Sequence, residues 1–122
     1  MCAMLRSIVM GPPGANLTGL PFTNPRIFHN HYFGFTAENQ EWYDRRIKEF
    51  RAEMPNWANC WLSAEPLLGP IDLGLRYISP EDMPFEWVVV GCESGPNRRP
   101  CNIEWVESIV EQCRAANVPV FV

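Results

Sequence analysis

One pattern occurs three times in this sequence, and it restricts the possible folds more than any other feature. Each copy is a short apolar run, then two small residues, then a glutamate, and the copies end at Glu38, Glu65 and Glu93. Short apolar runs bounded by turn residues predict buried β-strands. The run Trp87–Val90 is continuous rather than alternating, which is typical of a parallel strand covered on both faces. The predicted strands are Tyr32–Phe35, Asn59–Ser63, Trp87–Gly91 and Val120–Val122.

A helix or a long connector separates each strand from the next, and this alternation is typical of parallel strands joined by right-handed crossovers. We therefore predict an α/β fold, a partial (β/α) barrel built from βαβ units. Residues 29–122 are expected to form the carboxyl-terminal part of this barrel, and residues 1–28 a divergent, loop-rich segment. A chain of 122 residues is enough for one domain.

Two amphipathic helices are predicted between the strands. Asn39 is the expected N-cap of the first helix, and Pro55 is expected to end it. Asn102 is the expected N-cap of the second helix, and Asn117 is its expected left-handed end. Residues 73–84 contain two prolines and predict an irregular connector. The apolar stripes are Tyr43, Ile47, Phe50 and Met54 in the first helix and Val106, Ile109, Val110 and Cys113 in the second.

Composition and cysteine spacing disfavour several classes of protein. There are 10 Lys and Arg against 14 Asp and Glu, a formal charge of −4, and this balance disfavours a nucleic-acid partner. No apolar run approaches the roughly 20 residues of a membrane span. The five cysteines show no C-x-x-C spacing and no metal-site grouping. We expect no secretory leader, and therefore mostly buried, reduced cysteines in a cytoplasmic protein.

The three glutamates are expected to meet at one edge of the sheet. Neighbouring parallel strands lie about 4.8 Å apart, and ligands of parallel α/β proteins bind at the carboxyl ends of the strands. Carboxylates so close would raise one another's pKa values, bind a metal or pair with cations, for which Arg98 and Arg99 are candidates. Three roles stay open: ion pairs that fix the loops, binding of a polar ligand or cofactor, and acid/base chemistry by a glutamate pair.

Four motifs, in order, resemble a phage and bacterial family of uncharacterised function that is labelled after phage gene products thirty-seven and sixty-eight. Members of that family look like radical S-adenosylmethionine proteins. The resemblance covers about residues 30–122, roughly three-quarters of the chain. The motifs are Ala37–Gln40, Ser63–Asp72, Gly91–Pro96 with Arg99–Pro100, and Ala115–Phe121.

This resemblance implies a partial barrel in which three cysteines of an early loop hold an iron–sulfur cluster that binds S-adenosylmethionine against the strand ends. The chain departs from the family in that loop, because the C-x-x-x-C-x-x-C motif is absent and Cys2 is the only cysteine before Cys60. Such a cluster needs three thiolates. S-adenosylmethionine and a 4Fe–4S cluster are therefore implied only for the full-length family, and no cofactor for this chain alone. The residues implied to line the cofactor side are Glu38, Asn39, Ser63, Glu65, Glu93 and Ser94.

The function expected from these observations is that of a carboxyl-terminal fragment of a radical S-adenosylmethionine-like protein, inactive alone. We expect such a fragment to self-associate or to dock against a missing amino-terminal half, because an incomplete barrel leaves strand edges unpaired. Two alternatives stay open. One is an interaction module that uses the exposed sheet edges, and the other is a metal-dependent hydrolase with a rim of glutamates.

Overall fold

A computed structural model of the chain describes residues 31–55 and 58–122. Helix α1, Gln40–Glu53, joins the first two strands, and helix α2, Ile103–Ala115, joins the last two. All strand pairs are parallel, so the predicted α/β fold with βαβ units is confirmed. The loop-rich segment predicted for residues 1–28 lies outside the described residues. The strands are Tyr32–Thr36 (β1), Asn59–Ala64 (β2), Trp87–Val90 (β3) and Val120–Phe121 (β4).

The four strands form one sheet in which each strand pairs with the next one along the chain, in the order β1-β2-β3-β4. Sequential order of this kind is typical of (β/α) barrels, whereas doubly wound sheets reverse their order at a switch point. Right-handed crossovers in a sheet that grows in one direction place both helices on the same face. The described sheet is therefore covered by α1 and α2 on one side.

The helix ends follow from their capping residues as predicted. The Asn39 side chain accepts a hydrogen bond from the Trp42 amide at 3.1 Å, and the Asn102 side chain accepts one from the Glu104 amide at 3.0 Å. Asn117, just beyond α2, adopts the left-handed conformation with φ 55°. Neither described helix is long and apolar enough to cross a membrane.

The core lies between the helices and one face of the sheet. Phe35 stands at its centre, with ring centroids 4.9 Å from Phe50, 5.9 Å from Phe85 and 6.3 Å from Tyr43. The predicted stripes of both helices are confirmed as the faces that pack on the sheet except at Val110, which is half-buried and lies outside this core; Ile47 is half-buried and packs against it. Other buried members of this core are Phe33, Leu62, Val88, Val90, Val106, Ile109 and Cys113.

The connector between β2 and β3 has no α-helix, as predicted, and contains two short 3-10 turns, Leu75–Tyr77 and Pro80–Asp82. Two glutamines fix it to the helices. Gln40 of α1 accepts a hydrogen bond from the Asp72 amide at 2.6 Å. Gln112 of α2 accepts one from the Leu73 amide at 2.7 Å. The connector therefore covers the core where a crossover helix would otherwise lie.

The opposite face of the sheet is rich in aromatic side chains. The rings of Trp61 and Trp87 stack at 6.0 Å, and Tyr32 lies 4.7 Å from Trp87. In β3 Val88 and Val90 are buried, whereas Trp87 and Val89 are half-buried, so the prediction of a strand covered on both faces holds fully for the core face and only in part for this one. We call this side the aromatic face; it comprises Tyr32, Trp61, Trp87, Val89 and Phe121.

Candidate functional site

The three glutamates follow three adjacent strands at the same edge of the sheet, as predicted. The ladder continues beyond the paired strands, because the Ala37 amide donates to the Ser63 carbonyl at 3.0 Å and the Gly91 amide to the Ala64 carbonyl at 3.2 Å. Extending the strand register places Glu38 beside Glu65, and Glu93 two residues past the position opposite Glu65. We call Glu38, Glu65 and Glu93 the glutamate rim.

Glu38 is held by an arginine of helix α1. The Arg46 Nη1 atom lies 3.1 Å and 3.2 Å from the two Glu38 carboxylate oxygens, and it also donates to the Thr36 carbonyl at 2.8 Å. The guanidinium lies over the Trp42 ring, 4.6 Å from its centroid. Only 13% of the Arg46 side chain and 23% of the Glu38 side chain are exposed. This partly buried ion pair fixes the end of β1 to α1.

Glu93 is paired with Arg99, one of the two arginines expected to fold back. Its Oε2 accepts from the Arg99 backbone amide at 2.7 Å and from Nε at 2.9 Å, and its Oε1 accepts from Nη2 at 2.7 Å. Hydrogen bonds from the Arg99 side chain, then from its backbone amide, lower the pKa of Glu93 to about 2. Of the three alternatives left open for the carboxylates, Glu93 therefore shows pairing with a cation.

The two ion pairs face the same end of the sheet. Hydrogen bonding to Glu93, and then the charge of Glu93, raise the pKa of Arg99, and the charge of Glu38 adds to this effect. The strand register places the glutamates that follow β1 and β3 at the same edge of the sheet.

Glu65 differs from the other two rim glutamates. It is exposed, and within residues 31–55 and 58–122 no basic side chain forms an ion pair with it. Its carboxyl carbon lies 3.1 Å from the point that a Cβ on Gly91 would occupy, so the side chain crosses the Gly91 backbone. The backbone that follows Glu65 is fixed to both neighbouring strand ends. The Leu67 amide donates to the Gly91 carbonyl and the Leu68 amide to the Glu38 backbone carbonyl, each at 2.8 Å. The rim therefore holds one available carboxylate on a well-anchored backbone.

The remaining residues implied to line the cofactor side lie at the same end of the sheet in different settings. The Asn39 side chain is engaged as the N-cap of α1. Ser63 is buried near the end of β2, with 8% exposed. Ser94 is exposed in the loop after Glu93. The structure thus brings these residues to one region, and their binding of a cofactor stays a prediction.

The expectation of reduced cysteines is wrong for Cys92 and Cys101, which form a disulfide with a Cα–Cα distance of 5.6 Å. The loop after β3 turns back on itself and brings the two residues together, and a spacing of nine residues does not reveal this in the sequence. Cys60 and Cys113 are free and buried as expected, and Cys2 lies outside the described residues.

The described thiols do not fit an iron–sulfur cluster. Burial raises the pKa of Cys60 to about 12 and the pKa of Cys113 to about 11, so neither offers a thiolate. Cys92 and Cys101 are joined to each other. Across the part of the chain that the structure describes, no group of three or more His, Cys, Asp or Glu side chains is placed to hold a metal ion.

Sequence reasoning missed two features of this site, the Arg46 contact and the disulfide. The signal for Arg46 was present, because it follows Tyr43 by three residues and precedes Phe50 by four. That spacing places it on the apolar side of α1 rather than on the water-facing side. No comparable signal exists for the disulfide.

The fold and the rim define a class of protein: a parallel α/β protein whose polar side chains gather at the carboxyl ends of its strands. Residues 4–122 match the family described as "Protein of unknown function (DUF5131)", and the chain belongs to this family. Comparison with curated proteins gave no match, and neither did comparison with solved structures. The family description assigns no activity.

Proposed function

We propose that this chain forms the carboxyl-terminal part of a radical S-adenosylmethionine-like (β/α) barrel, and that its glutamate rim binds S-adenosylmethionine. The observation that carries the proposal is the state of Glu65. It is the middle glutamate of three, it is exposed, and it has no basic partner among the described residues. Glu38 and Glu93 are each neutralised by an arginine.

The charge of the rim suits a cationic ligand with hydroxyl groups. Three carboxylates and two paired arginines leave one net negative charge, at Glu65. S-adenosylmethionine carries a sulfonium, an ammonium group, a carboxylate and two ribose hydroxyls, and its net charge is positive at neutral pH. A carboxylate accepts charge-assisted hydrogen bonds from an ammonium group, or two hydrogen bonds from a pair of neighbouring hydroxyls. Glu65 is therefore the residue that we assign to the ligand, and the two ion pairs are assigned to holding the loops around it.

The sequential strand order supports the barrel part of the proposal, since ligands of (β/α) barrels bind at the carboxyl ends of the strands. We assign binding rather than catalysis to this chain alone. When bound, an iron–sulfur cluster supplies the electron that cleaves S-adenosylmethionine in radical enzymes, and the described cysteines do not fit such a cluster. The cluster ligands of a complete barrel would have to come from other residues.

Changing Glu65→Gln should weaken the binding of S-adenosylmethionine by about tenfold or more, because the substitution removes the charge and keeps the shape of the side chain. Isothermal titration of the full chain with S-adenosylmethionine measures this. The matched control is Glu86→Gln, which changes an exposed glutamate directly before β3, at the opposite end of the sheet. We expect less than about a twofold effect there. Absence of binding to the unmodified chain at millimolar ligand, or equal losses in both variants, would contradict the proposal.

A second candidate function is self-association through the aromatic face, with a second copy of this chain as the partner. Tyr32 is 46% exposed and Phe121 is 59% exposed, and none of the five side chains of the face is acidic or basic. Two copies related by a twofold axis can therefore stack these faces without burying a charge, which would be costly. The aromatic side chains that this would cover are those that contribute most to interfaces between proteins.

Changing Phe121→Glu should weaken the association by about tenfold or more, because it places a charge inside the interface. Sedimentation velocity over a range of protein concentrations measures the dissociation constant. Tyr77→Glu is the control, since Tyr77 is 79% exposed in a 3-10 turn and does not belong to the aromatic face. An unmodified chain that stays monomeric up to about 0.1 mM would rule out this candidate. The free energy of association would then be weaker than about 5.5 kcal/mol, too little for a specific dimer.

A further inference from the structure

The loop between β3 and α2 is closed twice, once by a covalent bond and once by an ion pair. Cys92 lies two residues past the end of β3, and Cys101 directly precedes Asn102, the N-cap of α2. Their disulfide therefore joins the end of a strand to the beginning of a helix. We call residues 92–101 the clasp loop.

The ion pair between Glu93 and Arg99 lies within the ring of residues that the disulfide closes. Glu93 follows Cys92, and Arg99 lies two residues before Cys101, so the three hydrogen bonds between Glu93 and Arg99 close a smaller ring within the larger one. Gly95 turns the chain between them, with φ 106°, in a region that residues with a side chain rarely adopt. The disulfide reduces the conformational freedom of the loop, and it thereby lowers the entropy cost of forming the ion pair between Glu93 and Arg99.

The two pairs of cysteines differ in their access to solvent. Cys92 is exposed and Cys101 is half-buried, whereas Cys60 and Cys113 are buried in the core. Thiol–disulfide exchange requires that a thiolate reach one sulfur of the disulfide, so accessibility decides which cysteines react. Of the cysteines that the structure describes, only the clasp-loop pair is accessible to this chemistry.

We propose that Cys92 and Cys101 form a redox modification site whose opening by a dithiol reductant releases Glu93 from Arg99. In the first step a thiolate of the reductant attacks one sulfur and forms a mixed disulfide, and the other cysteine leaves as a thiolate. In the second step the other thiol of the reductant displaces the remaining cysteine. Two electrons and two protons thus pass to the protein, Cys92 and Cys101 become thiols, and the reductant becomes a disulfide.

The opening changes the charge presented at the glutamate rim. Once the disulfide is reduced, the ion pair between Glu93 and Arg99 must close the loop without covalent support. The ion pair is therefore formed for a smaller fraction of the time. Glu93 then becomes a second available carboxylate beside Glu65. Any effect of this change on S-adenosylmethionine binding rests on the proposed function, whereas the opening of the loop does not.

Labelling with iodoacetamide tests the modification site on the full, natively folded chain. Without reductant, we expect no labelling of the four described cysteines. After treatment with dithiothreitol, peptide mass spectrometry should find Cys92 and Cys101 labelled, with Cys60 and Cys113 labelled only after denaturation. Labelling of Cys92 and Cys101 in air-oxidised protein before reduction would overturn the proposal.

Hydrogen exchange at the Arg99 amide tests the release of Glu93, because this amide donates directly to the Glu93 carboxylate. Exchange should be about tenfold faster after reduction, the order of effect expected when a cross-link is lost while a strand and a helix still hold the loop ends. The double variant Cys92→Ser with Cys101→Ser should show the fast rate without reductant and no response to it. The Tyr43 amide, which lies in the first turn of α1, is the control and should not change.

An Arg99 amide that exchanges equally fast in both states would overturn the proposal. If exchange responds to reduction while S-adenosylmethionine binds neither form, the modification site stands and the proposed function fails. If S-adenosylmethionine binds both forms and the Arg99 amide does not respond, the proposed function stands and the modification site fails. The two ideas can thus be separated in one set of samples.

Discussion

Replacing Phe35 with alanine should lower the free energy of unfolding by about 3–5 kcal/mol, the range for removal of a buried aromatic side chain from a core. Phe35 is 2% exposed and lies in β1, with its ring in contact with the rings of Tyr43, Phe50 and Phe85. These three belong to α1 and to the connector before β3. Truncation therefore leaves a cavity where the helix, the sheet and the connector meet, and rigid aromatic neighbours limit how far it can collapse.

Denaturant unfolding followed by circular dichroism measures this loss. Tyr77→Ala is the matched control, since it also removes an aromatic ring, but from a residue that is 79% exposed. We expect a change within about 0.5 kcal/mol for the control. Similar losses for both variants would mean that α1 does not cover the Phe35 face of the sheet, and the assignment of the core would be wrong.

Local sequence patterns were sufficient to predict the elements of this fold. Asn39 and Asn102 mark helix starts because a side-chain oxygen there satisfies a backbone amide within the same few residues. The repeated strand-and-glutamate pattern predicts parallel neighbours because the chain must cross over between copies. In each case the physical cause acts within one element or between consecutive ones, so a single sequence contains it.

The features that the sequence did not reveal depend on contacts between distant residues. The disulfide depends on how the clasp loop folds back, and nothing in the sequence specifies that path. The difference between the two faces of β3 has a similar cause, because Trp87 and Val88 both belong to one continuous apolar run and only the position of the helices distinguishes their faces.

The candidate site was predicted in its position but not in its charge. Parallel strands in register place the glutamates at one edge, which follows from the repeat. Which of them carries an unpaired charge is decided by the arginines. Arg99 is near Glu93 in sequence and was anticipated as its partner, whereas Arg46 reaches Glu38 from the next helix. Glu65 was therefore one of three equivalent candidates in the sequence, and it is the distinctive one in the structure.

Replacing Gly34 with alanine should lower the free energy of unfolding by about 1–3 kcal/mol, as expected for overpacking of a filled space. Gly34 is buried in β1 directly opposite Trp61 of β2. A Cβ at this position would lie 2.9 Å from Trp61 Cδ2 and still closer to Nε1 and Cε2 of the same ring. The indole thus lies across the glycine, and an alanine would push it away from the Trp87 ring on which it stacks. Without this clash, alanine in a strand would be about 0.5–1 kcal/mol more favourable than glycine.

A double-mutant cycle with Trp61→Ala isolates this contact, with denaturant unfolding as the measurement. In the Trp61→Ala background the ring is gone, so Gly34→Ala should be neutral or slightly stabilising, and the two substitutions should couple by about 1–3 kcal/mol. Gly69→Ala is the control, because the nearest atom to a Cβ there is Asn39 Cβ at 3.4 Å, an ordinary contact distance. Since a shift of one residue between β1 and β2 would move every side chain to the other face, the coupling is also a test of the register. Additive effects of the two substitutions would show that Trp61 does not lie over Gly34, and the alignment that places Glu38 beside Glu65 would then be wrong as well.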